Sequence, residues 1–259
     1  MYLSIVVFEE CLAEYHPRMI GHSDLIKIKF MGVQEAMEGQ EYLPDHMLLE
    51  HVEYFVSHPV PAAWGCLCIG EPPEDLFKNN ICLIFPENTD RTSLYHDVQK
   101  IFFLYNSWEM EIRKAMQRNA TLEEMCNLCI PIFEKPIFIH DRNNELLAIA
   151  NEMAGQFSWQ YDETFDKYYL PLEILNTFKS SDEYHKTLHT YGAHVFSAKA
   201  TGYRTLYVNL RIEWVYVGRV CLDEIGTPIR KRDYELLEFF ADNIALAMQQ
   251  GMLLVSDVS

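Results

Sequence analysis

The chain has 259 residues, 49% of them hydrophobic and 23% charged, and these values exclude a largely disordered protein. Asp and Glu number 38 against 21 Lys and Arg, which gives a formal charge of -17 at pH 7. Because so acidic a chain repels phosphate backbones, we do not expect it to hold nucleic acid by itself. No apolar run is long enough to cross a bilayer, no signal peptide is recognisable, and the 7 cysteines are an odd number that favours reduced thiols. We therefore expect a cytoplasmic protein without membrane contact.

The first part of the chain, residues 1–91, predicts a small N-terminal α/β sensing module. A helix is expected over Leu3 to Tyr15, ended by His16-Pro17. Short strand-like segments follow it at 25–30, 46–50, 64–69 and 81–85. A helix followed by several such strands is typical of a small α/β or α+β module.

The next segment, residues 92–119, predicts one long helix. Its apolar residues recur at alternating steps of four and three, which is the seven-residue repeat of a helix that faces another helix. These residues are Leu94, Val98, Ile101, Tyr105, Trp108, Ile112 and Ala115. Thr92 or Ser93 is the expected N-cap. We interpret the segment as a linker and dimerisation helix, roughly 40 Å long; the alternative is a long amphipathic helix that lies on its own domain.

The remaining residues, 120–259, predict an antiparallel sheet flanked by helices. Thr121 and Glu124 form a capping box that opens a helix. Two strands are expected at 136–140 and 146–150, another at 194–199, and a hairpin at 203–211 and 214–222. The aromatic-rich segment 151–181 predicts one or two short helices over the sheet, and a last helix with a seven-residue repeat is expected over Lys231 to Leu254. The fold class is therefore α+β, with an α/β module, a long linker helix and this second domain.

The order of elements in the second domain resembles that of a GAF domain. The hairpin end Val217-Gly218-Arg219-Val220-Cys221-Leu222, followed by Pro228 and Asp233-Tyr234-Glu235-Leu236-Leu237, is similar to the way such domains finish. A PAS-type sensor is the nearest rival, and the helices before the first strand and after the last one favour GAF.

The whole chain resembles the sensory part of bacterial transcriptional regulators of the PucR/CdaR type. The segments that carry this resemblance are 69–73, 81–86, 121–133 and 136–141. It implies a homodimeric, ligand-sensing region that contacts DNA only through a C-terminal helix-turn-helix, which is not present in this chain because nothing after Leu254 is able to form one.

Residues with catalytic or metal-binding potential are few. Cys126 and Cys129 have the spacing of a redox or zinc pair, but they lie on the apolar face of a helix without a second pair, so core packing is the better interpretation. His185, His189 and His194 are close in sequence, and surface histidines are expected there. No hydrolase, nucleotide-binding or metalloprotease motif appears. We therefore predict no catalytic residue, no metal, no cofactor and no enzyme.

A pocket for a small metabolite is the remaining prediction, since ligand sites combine apolar walls with a few polar groups. The crossover supplies aromatic side chains, and Tyr207 and Asn209 share one face of a predicted strand. The expected ligand-binding residues are Phe138, Trp159, Tyr169, His194, Tyr207, Asn209 and Tyr216. The alternative is that these aromatics fill a core, in a ligand-free dimerisation or protein-docking module.

Overall fold

The computed structural model describes residues 1–251, apart from the side chain of Ser23. It separates into two compact units, Met1–Glu109 and Met110–Ser259, and the division falls inside a long helix. The domain limits predicted from the sequence, 1–91, 92–119 and 120–259, stay a prediction. No helix among the described residues is long and apolar enough to cross a membrane.

The first unit is built on a five-stranded mixed sheet in the order β2-β7-β6-β5-β4, in which β4 to β7 are parallel and β2 is antiparallel at one edge. The central strands β6 and β7 are buried at every residue, as expected for parallel strands covered on both faces. A separate antiparallel pair joins β1 and β3. The strands are β1 Leu3–Ser4, β2 Arg18–Gly21, β3 Lys29–Phe30, β4 Gly32–Glu35, β5 His46–His51, β6 Gly65–Ile69 and β7 Ile81–Phe85; the short helices are α1 Ile5–Cys11 and α2 Val52–Ser57.

Three of the four predicted strand segments in this unit are confirmed, at β5, β6 and β7. The predicted first helix is shorter than expected, because Ala13–Tyr15 forms a 3₁₀ turn that ends at His16 in a left-handed conformation. The prediction of a strand over 25–30 is largely wrong. Residues Ser23–Lys27 form a 3₁₀ turn, capped where His22 Nδ1 accepts a hydrogen bond from the Asp24 backbone N–H. A local cap of this kind competes with strand pairing, and alternation alone does not reveal it.

The long helix α3 spans Arg91–Gln117. Its N-cap is Asp90, whose Oδ1 accepts from the Ser93 backbone N–H at 2.8 Å, so the prediction of Thr92 or Ser93 as the cap is wrong by two or three residues. All seven residues of the predicted seam are buried within the chain. The chain itself therefore covers these side chains, while the linker helix, the homodimer and the alternative of a helix that lies on its own domain stay predictions.

The second unit contains a five-stranded antiparallel sheet in the order β12-β13-β14-β8-β9. Helices α4 and α8 pack on one face, and side chains of α6 and α7 join an apolar cluster on the other. The strands are β8 Ile137–Asp141, β9 Leu146–Ala150, β10 Gln160–Asp162, β11 Lys167–Tyr169, β12 Ala193–Phe196, β13 Thr205–Ile212 and β14 Val215–Asp223; the helices are α4 Leu122–Asn127, α5 Ile130–Phe133, α6 Leu172–Lys179, α7 Asp182–Thr187 and α8 Lys231–Gln249.

The predicted elements of this unit are confirmed, with the capping box of Thr121 and Glu124 present at the start of α4. The segment 151–181 contains one short helix, α6, as expected, while α7 begins just after it at Asp182. It also contains the β10-β11 hairpin, which the sequence did not predict. In the last helix the seam residues before Gly251 are buried, and the predicted end at Leu254 lies outside the described residues. The fold class is α+β, with antiparallel strands flanked by helices, as expected.

Candidate functional site

A small cavity lies in the second unit between the sheet and its cover, and its volume is about 40 Å³. Because one water needs roughly 10–15 Å³ measured in this way, the cavity has room for a few waters. Its lining is mostly aromatic with a few polar groups. The lining residues are Phe138, His140, Phe157, Leu170, Phe178, Tyr184, Phe196, Thr201, Thr205, Tyr207, Arg219 and Cys221.

The floor of the cavity is set by strand register. Tyr207 on β13 pairs with Cys221 on β14, which pairs with Phe138 on β8, so the three side chains form a row across the sheet. Arg219 and His140 occupy the adjacent row. Next to this row, Gly218 lets the two backbones approach, since a Cβ there would lie 2.3 Å from the His140 carbonyl oxygen.

The lid consists of α6 and α7. Phe178 and Tyr184 stack with ring centroids 4.5 Å apart, and Phe196 meets both rings edge-on. Glu183 attaches α7 to the sheet edge, because its carboxylate accepts from the Ser197 backbone N–H at 3.0 Å and from the Ser197 hydroxyl at 2.7 Å. The lid is therefore held by aromatic packing and a small number of side-chain hydrogen bonds.

Arg219 is the cationic side chain of the cavity, and it is only 4% exposed. Its Nη2 donates to the Thr187 hydroxyl at 3.1 Å, at the end of α7, while its Nε has no hydrogen-bond partner. The guanidinium carbon lies 4.7 Å from the centroid of the Tyr207 ring, 5.5 Å from that of Tyr184 and 5.8 Å from that of Tyr216. Within residues 1–251, Arg219 forms no ion pair with a carboxylate.

His140 is buried beside Arg219. Burial and the nearby guanidinium lower the pKa of its imidazole to about 3, so the ring is neutral at physiological pH. Nδ1 lies 2.8 Å from the Asp141 carbonyl oxygen, and since a carbonyl only accepts, Nδ1 carries the proton. Nε2 is consequently the acceptor nitrogen, and His140 adds no positive charge to the cavity.

Asp223 is fully buried near one end of the floor. Its Oδ1 accepts from the Thr205 hydroxyl at 2.8 Å, and its Oδ2 accepts from Gln156 Nε2 at 2.9 Å. Burial raises the pKa of this carboxyl to about 6, against the opposing effect of these hydrogen bonds. The group titrates close to neutral pH and is engaged with its own neighbours.

Four of the seven predicted ligand-binding residues lie at or beside the cavity. Phe138 and Tyr207 line it. Trp159 packs edge-on against Phe138 with centroids 5.3 Å apart, and Tyr216 is the third ring near Arg219. Whether any of them binds a ligand stays a prediction.

The other three predicted residues lie elsewhere. Asn209 donates through Nδ2 to the backbone carbonyls of Thr187 at 2.7 Å and Thr190 at 3.1 Å, so its amide fixes the segment after α7. His194 is exposed and its Nε2 lies 2.9 Å from the Tyr191 carbonyl oxygen. Tyr169 belongs to β11, where it pairs with β10. None of the three lines the cavity.

Sequence reasoning missed Arg219, His140 and Tyr184. For Arg219 a signal was present, because it is a lone charge inside the apolar strand Val217 to Leu222, and a buried charge requires a partner. The convergence of the other two depends on strand register and on the lid, neither of which periodicity reveals.

The cysteine and histidine candidates for metal binding are not brought together. No group of three or more potential ligands that would hold a metal ion occurs among residues 1–251. Cys126 is buried, and burial raises the pKa of its thiol. His185 and His189 are exposed.

No family model and no curated protein matches the sequence. Among solved structures, the cofactor-binding GAF domain of the nutrient sensor CodY from Clostridium difficile is 12% identical, over 56% of this chain and 97% of that one, with a TM-score of 0.39. A phycoerythrobilin-bound GAF domain from a cyanobacterial phytochrome is 9% identical, over 56% and 94%, with a TM-score of 0.42. The type II free methionine-R-sulfoxide reductase from Thermoplasma acidophilum is 16% identical, over 56% and 97%, with a TM-score of 0.29.

At TM-scores below 0.5 these likenesses carry no argument about function. The elements of the second unit follow the order helix, strand pair, helical crossover, strand, hairpin and long last helix. Together with the strand order β12-β13-β14-β8-β9, this is a GAF-like antiparallel sheet flanked by helices.

Proposed function

We propose that the second unit is a sensor domain that binds a small molecule in the cavity between the sheet and the lid. The observation that carries this proposal is the composition of the cavity, in which aromatic walls surround a buried arginine and a neutral histidine under two short helices. Ligand sites are typically concave and apolar with a few convergent polar groups.

Binding requires the lid to move. Known ligand pockets have volumes of about 300–1,000 Å³, whereas this cavity has about 40 Å³. A ligand therefore binds an opened form better than the closed one and shifts the population between them. Helix α8 packs on β13 from the opposite face, so a change in the sheet reaches this helix.

The resemblance to PucR/CdaR-type regulators extends the proposal. In this view the chain is the cytoplasmic, homodimeric sensing region of a bacterial transcriptional regulator. The exposed apolar side chains of α3, which include Phe103 at 75% exposure, are available for a partner. A binding role is favoured over catalysis because Cys221, the thiol of the cavity, has its pKa raised by burial and stays protonated.

A ligand-free docking module is the second candidate, and the small cavity volume favours it. Trp214 adds to this case, since it is 84% exposed at the tip of the β13-β14 hairpin, as a protein-docking side chain would be. In this reading the aromatic residues are simply the core beneath α6 and α7.

Hydrogen exchange separates the two candidates without a known ligand. If the lid opens locally, the amides of α6 and α7 exchange faster than those of β13 and β14, at a rate independent of global stability. If the lid is a core element, its amides exchange only when the whole unit unfolds, and that result would exclude the sensor proposal.

A thermal-shift screen with a metabolite panel is the second test, because a ligand that binds only the folded state raises Tm. The variant Phe178→Ala alters the lid wall, and Phe165→Ala is its matched control on an exposed phenylalanine. We expect a compound that stabilises the wild type to stabilise Phe165→Ala equally and Phe178→Ala much less. Equal responses of the two variants would place binding elsewhere.

A further inference from the structure

Arg219 is a buried cation without a counter-ion. It lies inside the sheet floor, 4% exposed, and a buried charge is costly unless it is paired and hydrogen-bonded. Asp223 and Glu183 have other partners, since Asp223 accepts from Gln156 and Thr205 and Glu183 accepts from Ser197. The positive charge therefore faces the cavity unpaired within residues 1–251.

The groups around the guanidinium compensate it only in part. The tyrosine faces attract a cation, and the Thr187 hydroxyl accepts one hydrogen bond. An arginine has five N–H donors, and its Nε–H has no acceptor although it is fully buried. An arginine that served only to fix α7 to the sheet would not need to line a cavity or to leave this donor without a partner.

We propose that the ligand is a small monocarboxylate with an apolar body, and that its carboxylate pairs with the Arg219 guanidinium. This inference rests on the proposed sensor function and specifies the ligand class. An arginine fork binds a carboxylate through two parallel hydrogen bonds. The apolar body lies among Phe138, Phe157, Phe178 and Phe196, which line the same cavity.

The charge of the cavity favours a carboxylate over a phosphate. Arg219 is the cationic side chain in the lining, and His140 is neutral. One guanidinium neutralises one carboxylate, while a phosphate monoester carries up to two charges and requires further donors or cations. The aromatic walls disfavour a strongly hydrated second charge.

The test compares acids with their uncharged analogues in thermal shift and calorimetry. The probes are phenylacetate and 4-methylpentanoate, each with its primary amide, together with inorganic phosphate. The variants are Arg219→Met, Arg219→Lys and the control Arg142→Gln, which removes an exposed arginine of the same unit. All measurements use the full chain.

The expected result is that at least one acid stabilises the wild type and Arg142→Gln while its amide does not. Arg219→Lys weakens binding by about tenfold or more, because a point charge replaces the planar fork. Arg219→Met loses the response, while its Tm without ligand is unchanged or higher, because an unpaired buried charge is removed. The Lys variant keeps the test valid if the Met variant does not fold.

Four results would overturn the inference. They are equal binding of acid and amide, an undiminished response of Arg219→Met to the acids, stabilisation by phosphate alone, and no response of the wild type to any probe together with a lowered Tm of both Arg219 variants. The last of these would assign Arg219 a structural role. Lid exchange measured as above remains independent of the probes, so a failed ligand class is distinguishable from a failed sensor function.

Discussion

The buried ion pair of Lys135 and Asp233 provides a quantitative test of how the last helix is attached to the sheet. Lys135 Nζ lies 3.0 Å from Asp233 Oδ2, and the two side chains are 1% and 0% exposed. Nζ also donates to the Phe133 carbonyl at 3.2 Å, and Asp233 Oδ2 accepts from the Arg230 backbone N–H at 2.9 Å. The pair therefore joins the residues before β8 to the first turn of α8.

Replacing Lys135 by Met removes the nearer cation of the buried carboxylate and leaves only Arg232, whose Nε lies 3.9 Å from Asp233 Oδ1. At 3.0 Å and an effective dielectric constant of about 20, the attraction between two unit charges is roughly 5 kcal/mol. Breaking a buried pair by removing one partner typically costs about 3–5 kcal/mol. We expect Lys135→Met to lower the free energy of unfolding of the second unit by this amount, which makes exchange of its most protected amides faster by a factor of roughly 10² to 4 × 10³.

Hydrogen exchange of β8 and α8 peptides measures this effect, with the first unit as an internal reference. The control is Lys199→Met, an exposed lysine of the same unit, for which we expect a change within about 0.5 kcal/mol. The double variant Lys135→Met with Asp233→Leu removes both charges and is expected to recover most of the loss. A change below about 1 kcal/mol for Lys135→Met, or a double variant that is less stable than both single variants, would refute this account of the pair.

Three further predictions concern pH, packing and the cavity. The pKa of the Asp223 carboxyl is raised to about 6 from 3.8, so its contribution to stability is complete below pH 4 and is lost as pH rises through 6. In urea unfolding, wild type should therefore lose on the order of 3 kcal/mol relative to Asp223→Asn between pH 4 and 7. A difference in free energy of unfolding that does not change with pH would contradict this. Leu94→Ala on the buried seam of α3 should lower the free energy of unfolding by about 2–5 kcal/mol, and Phe103→Ala should lower it by less than about 0.5 kcal/mol. If the seam instead pairs two chains, Leu94→Ala should change the mass measured by light scattering. Cys221→Met is expected to fill the cavity and to abolish any ligand-induced rise in Tm without lowering the starting Tm; an unchanged ligand response would exclude this cavity as the site.

The fold was predictable where the local sequence pattern and the tertiary packing favour the same secondary structure. The capping box at Thr121 was visible because both of its partners lie within three residues. The apolar runs of β6 and β7 were visible because parallel strands are buried on both faces. Over 25–30 alternation suggested a strand, but a 3₁₀ turn over Ser23–Lys27 leaves only Lys29–Phe30 as a strand. The hydrogen bond that caps this turn involves a single histidine, which alternation does not reveal.

The seven-residue seam of α3 shows how far periodicity extends. The repeat correctly indicated that one face of the helix is covered, since all seven seam residues are buried. It did not specify which partner covers that face, because the same spacing serves a neighbouring element of the chain and a second chain equally well.

The site was less predictable than the fold because its residues meet through register. Asn209 and Arg219 are a cross-strand pair, and both side chains reach the end of α7: Asn209 Nδ2 donates to the Thr187 carbonyl, and Arg219 Nη2 donates to the Thr187 hydroxyl. The sequence indicated Asn209 as the inward polar group, but its amide is engaged with backbone carbonyls, and it is Arg219 that lines the cavity. A one-residue slip in the register of either strand would have turned its side chains to the other face of the sheet.

The strand β13 connects this site to the last helix. Its residues alternate, so Thr205 and Tyr207 line the cavity while Leu206 and Val208, both buried, lie on the face on which α8 packs. Close-packed interiors respond to displacements smaller than a methyl group. A ligand that changes the hydrogen bonds from Arg219 and Asn209 to Thr187 would therefore shift β13 and alter the packing of α8 against it. This coupling requires no contact between the lid and the last helix, because the side chains on both faces of β13 are attached to the same backbone.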